Sequence, residues 1–180
     1  MNGLVLAGGR SRRFGRDKAQ ATSQGDLPNV VRCVQALTPF CERVVVSANT
    51  TNAQALAALV GPRATVLVDE PTTAGHGPVS ALWAYFAYTN RSSADLLVLA
   101  VDMLGVTADH LLQLSQAPSY LVSTREHYTV CHLQVSQTQL ISQHGDWRLG
   151  SLLKACGCQP LLTKTLITNL NQEVNSNERT

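Results

Sequence analysis

Gly3-Leu4-Val5-Leu6-Ala7-Gly8-Gly9-Arg10-Ser11-Arg12-Arg13-Phe14-Gly15-Arg16-Asp17-Lys18 joins a short apolar run to a basic loop through a pair of glycines. The run Gly3 to Ala7 carries no polar side chain, as expected of a strand buried on both faces of a central parallel sheet. Gly8 and Gly9 let the backbone pass close to a ligand with no Cβ in the way. Successive N–H groups in such a loop form an anion-binding concavity. Arginines add forked donors for phosphate oxygens, and Lys18 adds a mobile point charge. Arg10, Arg12, Arg13, Arg16 and Lys18 are five of the fourteen Lys and Arg residues, so the positive charge is concentrated where a small polyanion such as a nucleotide would sit. The spacing is neither G-x-x-x-x-G-K-[ST] nor G-x-G-x-x-G. Lys18 is expected to be an exposed loop charge that contributes little to stability. Ser11 has no Ser-His-Asp context and reads as a phosphate-loop hydroxyl, not a nucleophile.

Strand and helix patterns alternate from there. Val30, Val31, Val34 and Leu37 have helical spacing, with Pro28 near the first turn. Residues 43–48 predict a second strand, 51–60 a helix stopped by Gly61-Pro62, and 64–68 a third strand ending at Asp69-Glu70-Pro71. The Gly75-His76-Gly77-Pro78 loop leads into an apolar helix from Val79 to about Tyr88. Residues 95–101 predict the most hydrophobic strand, which ends at Asp102. Thr107 is an N-cap candidate for a helix reaching Gln116; later strands are expected at 120–123 and 128–135, and a last helix at 149–155. This order implies an α/β fold, a Rossmann-like three-layer α/β/α sandwich with a mostly parallel sheet. Residues 1–171 read as a single domain, followed by a polar tail, 172–180, expected to fray. Ligands of such sheets bind beyond the carboxyl ends of the strands, which is where Lys18, Asn49, Asp69 and Asp102 fall.

Composition narrows the function. A chain of 180 residues with 44% hydrophobic and 14% charged residues suits one sizeable globular core and argues against disorder. A formal net charge of +2 is too small to imply a nucleic-acid partner. No apolar stretch reaches the roughly 20 residues needed to span a bilayer, and the first apolar run is too short for a signal peptide. With five cysteines at no zinc or redox spacing, a reduced cytoplasmic setting is expected. Cys33, Cys41 and Cys131 read as buried thiols. The histidines are scattered, and His76 reads as an exposed loop residue. Asp102 closes an otherwise apolar strand, a costly place for a carboxylate without a partner. A hard cation satisfies it, and Mg²⁺ takes one or two carboxylates together with phosphate oxygens.

The run from Leu6 to Lys18 resembles the L-A-G-G-x-S-x-R-[MF]-G-x-D-K signature of the molybdenum cofactor guanylyltransferase family, within the nucleoside triphosphate transferases. Gly8, Gly9, Ser11, Arg13, Gly15, Asp17 and Lys18 stand where that pattern expects them. Val46-Ser47-Ala48-Asn49 resembles the family's strand-two ending, and Val68-Asp69-Glu70 the segment that helps hold the guanosine portion. Gly77-Pro78-Val79-Ser80-Ala81-Leu82 is similar to the G-P-L-x-G/A-L element beside the base, Val101-Asp102-Met103 to the metal-binding C-D-M/T-P element, and Asn169-Leu170-Asn171 to an N-x-N near the end. The departures are Leu104 in place of proline, Val79 in place of leucine, and the stretch after Lys18.

The resemblance implies transfer of GMP from GTP to a molybdopterin-type acceptor with release of pyrophosphate. It assigns Lys18, Arg13 and Asp102 to catalysis, and Leu6, Ala7, Gly8, Gly9, Ser11, Lys18, Asn49, Asp69, Gly77, Pro78 and Asp102 to the nucleotide. Mg²⁺ would sit on Asp102, and Asn169 and Asn171 would face the acceptor. A related cytidylyl- or sugar-phosphate nucleotidyltransferase is the nearest alternative, although Leu6-Ala7-Gly8-Gly9 and Gly77-Pro78 favour the guanylyl branch. A GTP-binding regulatory protein with impaired turnover is the alternative from another class. No nucleic-acid or membrane partner is expected.

Overall fold

The structure, a computed structural model, describes residues 1–9, 17–142 and 145–170. Strands β1 (Asn2–Leu6), β2 (Val44–Ala48), β3 (Thr65–Val68) and β4 (Ser93–Ala100) alternate with helices α1 (Asn29–Leu37), α2 (Ala53–Val60) and α3 (Pro78–Thr89). A two-residue strand β5 (Met103–Leu104) and helix α4 (Ala108–Leu114) follow. Then come β6 (Ser119–Val122), β7 (Glu126–Ser136), α5 (Gln137–Ser142), α6 (Leu149–Ala155), β8 (Gln159–Leu162) and β9 (Thr168–Asn169). The seven-stranded sheet has the order β3-β2-β1-β4-β7-β6-β8, and β7 is antiparallel to both of its neighbours while the other pairs run parallel. The expected mostly parallel α/β sheet is therefore present, and the strand boundaries agree with the sequence reading to within two residues.

Alternation along the strands divides the core into two layers, because successive side chains point to opposite faces. Val5, Val46, Leu97 and Leu99 face α1, α2 and α4, where Val34, Leu37, Leu56 and Leu111 are buried against them. Leu4, Val45, Leu96 and Val98 face α3 and α6, where Leu82, Tyr85, Phe86 and Leu152 are buried. The 3.6-residue spacing in α1 thus covers one face of the sheet, and the more uniformly apolar α3 the other. Helices lie on both faces, as the sequence pattern requires.

Strands β5, β8 and β9 and the short helix α5 were not anticipated in the sequence, the strands for physical reasons. Strand β8 contains Pro160, which has no N–H to give a ladder, and it is tolerated because β8 is an edge strand. The pair β5–β9 joins Met103 to Asn169 and Leu104 to Thr168, and two-residue strands are too short to show any period. Just beyond β5, Gly105 has φ +82 and a Cβ there would lie 2.5 Å from the Leu166 carbonyl oxygen, so the crossing of these segments demands glycine.

Helix α4 starts in the expected way. Thr107 and His110 form a reciprocal capping box, with the Thr107 N–H donating to His110 Nδ1 at 3.1 Å. His110 Nε2 then reaches Thr163 Oγ1 at 2.9 Å. All five cysteines are free thiols; Cys33 and Cys131 are buried as expected, whereas Cys41 is only half-buried. Among the described residues no helix is long and apolar enough to cross a membrane.

Candidate active site

The chain moves from β3, on one side of β1, to β4 on the other. Doubly wound sheets open a crevice where the strand order reverses in this way. Here a cleft of about 1280 Å³ lies beyond the carboxyl ends of β1 to β4. Leu6, Ala7, Gly8 and Gly9 border it after β1, Ser47 and Asn49 at β2, Asp69 after β3 and Asp102 after β4; Gly77 and Pro78 supply part of the wall at the start of α3. Lys18 lies on the floor. Ten of the eleven positions expected at the nucleotide come together: Leu6, Ala7, Gly8, Gly9, Lys18, Asn49, Asp69, Gly77, Pro78 and Asp102. Ser11, Arg13 and Asn171 lie outside the described residues.

Lys18 Nζ lies 3.3 Å from Asp102 Oδ2. Lys18 is 8% exposed, so the expectation of an exposed loop charge is corrected: the side chain is drawn inward by the carboxylate of Asp102, just past the end of β4. Its backbone is fastened as well. Asn29, fully buried at the start of α1, donates from Nδ2 to the Lys18 carbonyl at 2.9 Å and to Ser23 Oγ at 3.0 Å. Asp17 also borders the cleft, with its carboxylate engaged by the protein. Its carboxylate accepts from the Ala19 N–H at 2.9 Å and from Asn52 Nδ2 at 2.8 Å, which holds the loop exit so that Lys18 turns toward Asp102.

The rim beside β2 is stitched by two asparagines. Asn52 Nδ2 donates to the Ala7 carbonyl at 3.0 Å, and Asn49 Nδ2 donates to the Gly8 carbonyl at 3.1 Å. Asn49 Oδ1 accepts the Thr51 and Asn52 N–H groups, while Asn52 Oδ1 accepts the Asn49 N–H. The glycine at 8 has a packing reason, since a Cβ there would lie 3.3 Å from the Ala48 carbonyl carbon. The first loop thus lies against the end of β2 without a side chain between them.

Asp69 accepts a hydrogen bond from Ser47 Oγ at 3.1 Å. Burial pushes its carboxyl above the ordinary aspartate value, and the Ser47 hydrogen bond partly offsets this. A half-buried carboxylate facing a cleft is an acceptor for sugar hydroxyls or base N–H groups. Next to it, Gly77 has φ +69 at the N-cap of α3, a backbone conformation that favours glycine. Ser80, fully buried one turn into α3, accepts the His76 N–H at 3.1 Å and donates to the Thr73 carbonyl.

Behind Asp102, Arg32 of α1 donates from Nη2 to the Met103 carbonyl at 3.2 Å, and the Leu170 N–H donates to the Asp102 carbonyl at 2.9 Å. Asn169 sits on β9 with Nδ2 3.7 Å from Met103 Sδ, so the segment expected on the acceptor side is laced to the loop that carries Asp102. Among the described residues no group of three or more His, Cys, Asp and Glu could enclose a metal ion. The carboxylates of Asp69 and Asp102 both border the cleft, and carboxylate oxygen is the donor type that a hard divalent cation takes beside phosphate oxygens and water.

A family profile described as the MobA-like NTP transferase domain matches residues 3–157. The chain belongs to this family. A molybdenum cofactor guanylyltransferase from Rhodobacter capsulatus is 34% identical over 137 residues, 74% of this chain and 68% of that protein. A probable molybdenum cofactor guanylyltransferase from Chloroflexus aggregans is 35% identical over 122 residues, 66% of this chain but 53% of that protein, so the match spans about half of the latter. The crystal structure of an Rv0371c homologue from Mycobacterium sp. strain JC1 superposes with a TM-score of 0.62 at 18% identity, covering 97% of this chain and 93% of that one, a likeness of fold. The family match takes in β1 to α6, and therefore the strand ends that border the cleft. Asn29, Asn52, Arg32 and Thr129 of β7, which also lines the cleft, belong to the site's frame and were not picked out by sequence reading; Ser80 was noted only as part of the base-side element. Asn52 alone carried a local signal, three residues after Asn49 and ahead of a helix, where asparagine caps.

Proposed function

We propose that this member of the MobA-like family is a molybdenum cofactor guanylyltransferase that moves GMP from GTP to the terminal phosphate of Mo-molybdopterin. The observation that carries the reading is the Lys18–Asp102 pair on the floor of a nucleotide-sized cleft, together with relatives that bear that name. In the reaction an oxygen of the acceptor phosphate attacks the α-phosphorus in line. A new P–O bond forms, the bond from the α-phosphorus to the β-phosphate oxygen breaks, and pyrophosphate leaves. The attacking phosphate is already anionic, so no general base is needed.

Catalysis then rests on positioning and charge stabilisation. The amides of Gly8 and Gly9 cradle phosphate, and Lys18 turns from Asp102 toward the negative charge that builds on the transferring group. Arg13 and Ser11 are given the same phosphate by the resemblance. Asp102 would hold Mg²⁺, which when bound acts as a Lewis acid on phosphate oxygens. Asp69 holds the guanosine portion, while the backbone at Leu6 and at Gly77-Pro78 meets the base edge. The Asn49 amide keeps the first loop shaped for the nucleotide. Asn169 and Asn171 lie on the acceptor side.

The test is pyrophosphate release in the presence of molybdopterin acceptor and Mg²⁺, with GTP, ATP and CTP compared. GTP is expected to be strongly preferred, because a site built to hydrogen-bond one base leaves polar groups unpaired with another. Equal use of the three nucleotides would sink the guanylyl reading.

A further inference from the structure

The loop between β3 and α3 has an attachment that this reading does not use. His76, exposed on that loop, stacks on Trp147 with ring centroids 3.9 Å apart and planes 20° from parallel. Trp147 comes from a distant part of the chain, the turn that leads into α6. That turn is itself braced. Arg148 grips Asp146 through Nε at 2.9 Å and Nη2 at 3.1 Å, and the Arg148 N–H donates to Asp146 Oδ1 at 3.1 Å. Trp147 also packs on the core cluster beneath α3 and α6, which makes it a firm support.

From within the fold the same loop is pinned by Ser80, through the His76 N–H and the Thr73 carbonyl. Between and beside these pins stand Gly75 and Gly77, with φ +87 and +69. Glycine carries more backbone freedom than any other residue, so a loop with two of them loses much entropy when ordered. A stacked ring pair contributes beyond the area it buries. A ring on the soft loop stacked on a ring from a braced turn is the means by which the rest of the fold can hold the loop in place.

We infer that His76 and Trp147 are positioning residues, whose stack fastens the wall formed by Ala74, Gly75, Gly77 and Pro78 before nucleotide arrives. The inference rests on the reading of the cleft as the nucleotide site. A wall already ordered spares the nucleotide the entropy of ordering it, so the stack strengthens nucleotide binding without touching the reacting atoms.

Trp147→Leu removes one ring and keeps an apolar side chain on the core. Without nucleotide, amide hydrogen exchange across residues 73–77 should then speed up by about three- to tenfold, the range an aromatic pair supports. Affinity for GTP with Mg²⁺ should fall by a similar factor, with turnover at saturating GTP close to that of the parent. Trp147→Phe, which restores a ring, should recover both quantities, and His76→Leu repeats the loss from an exposed position where folding is not at stake. Unchanged exchange at 73–77 in both ring-deleted variants would overturn the inference. Faster exchange with unchanged GTP affinity would support the clasp and overturn the assignment of this wall to the nucleobase.

Discussion

Lys18 Nζ and Asp102 Oδ2 lie 3.3 Å apart although the residues are separated by 84 positions in the chain. One closes the basic loop after β1 and the other follows β4, so two neighbouring parallel strands bring a cation and a carboxylate to one point. The pair is largely sheltered, with side-chain exposures of 10% and 21%. Each residue therefore satisfies the other until a ligand takes over one of them.

Breaking that pair should cost stability from either side. Lys18→Met leaves a sheltered carboxylate without its cation, and a loss of about 1–3 kcal/mol is expected, in line with orphaned polar groups. Asp102→Asn should lose less, because the amide oxygen still accepts from Lys18. The double variant should be more stable than the sum of the single losses predicts, since each change removes the group that the other would strand. Urea denaturation of the four proteins measures the coupling. Strict additivity would show that the two side chains do not interact in solution.

Asp102→Asn should also reduce GTP-dependent pyrophosphate release by orders of magnitude, since charge stabilisation of a transferring phosphoryl group is worth several kcal/mol and each roughly 1.4 kcal/mol is tenfold in rate. GTP affinity should fall less, because Lys18 and the loop amides still hold phosphate. Near-parent turnover with an unchanged Mg²⁺ requirement would move the metal away from Asp102, with Asp69 the next carboxylate along the cleft.

Asp69→Asn should stabilise the protein at neutral pH while impairing nucleotide binding. Burial raises the Asp69 carboxyl above its ordinary value of 3.8, so at neutral pH the folded state carries a charge it accommodates less well than the unfolded chain does. Asparagine keeps an oxygen for the Ser47 hydroxyl and removes the charge. The gain should be complete above the raised folded value and vanish below 3.8, where the parent is protonated in both states. Melting temperatures of parent and variant from pH 7 to pH 3 give the profile. A pH-independent difference would mean that the charge is not the cause.

Acid should weaken the fold through two buried histidines. Burial lowers both His110 and His127 from the ordinary 6.5, and Arg125 pushes His127 further in the same direction. The unfolded chain therefore takes up protons at these positions before the folded one does. Stability is fully present above about 6.5 and is lost as pH falls through the lowered folded values. His110 adds a mechanical reason, because its Nδ1 accepts the Thr107 N–H and a proton there breaks the capping box of α4. Denaturation midpoints between pH 8 and pH 5 should flatten in His110→Gln/His127→Gln. An unaltered slope would place the acid sensitivity elsewhere.

Several features were legible in the residues alone. The apolar runs at 3–7, 43–48 and 95–101 call for burial on both faces, which implies a parallel sheet with helices on either side and puts the loop residues at one end; the similar run at 64–68 became edge strand β3, only partly buried. Gly8, Gly9, Lys18, Asn49, Asp69, Gly77, Pro78 and Asp102 were visible because strand ends and glycine pairs are local signals. Antiparallel β7, the edge strand with Pro160 and the two-residue β5–β9 pair were not, because pairing direction and very short ladders depend on partners far along the chain. Tertiary structure alone decided that Lys18 is buried, since nothing near it in sequence anticipates a carboxylate 84 residues away. It likewise decided that Asn29 and Asn52 fasten the loop and that His76 meets Trp147. Local sequence sets backbone preference and hydrophobic period, whereas charge pairing, buried hydrogen bonds and ring stacking require atoms that only the packed chain brings within reach.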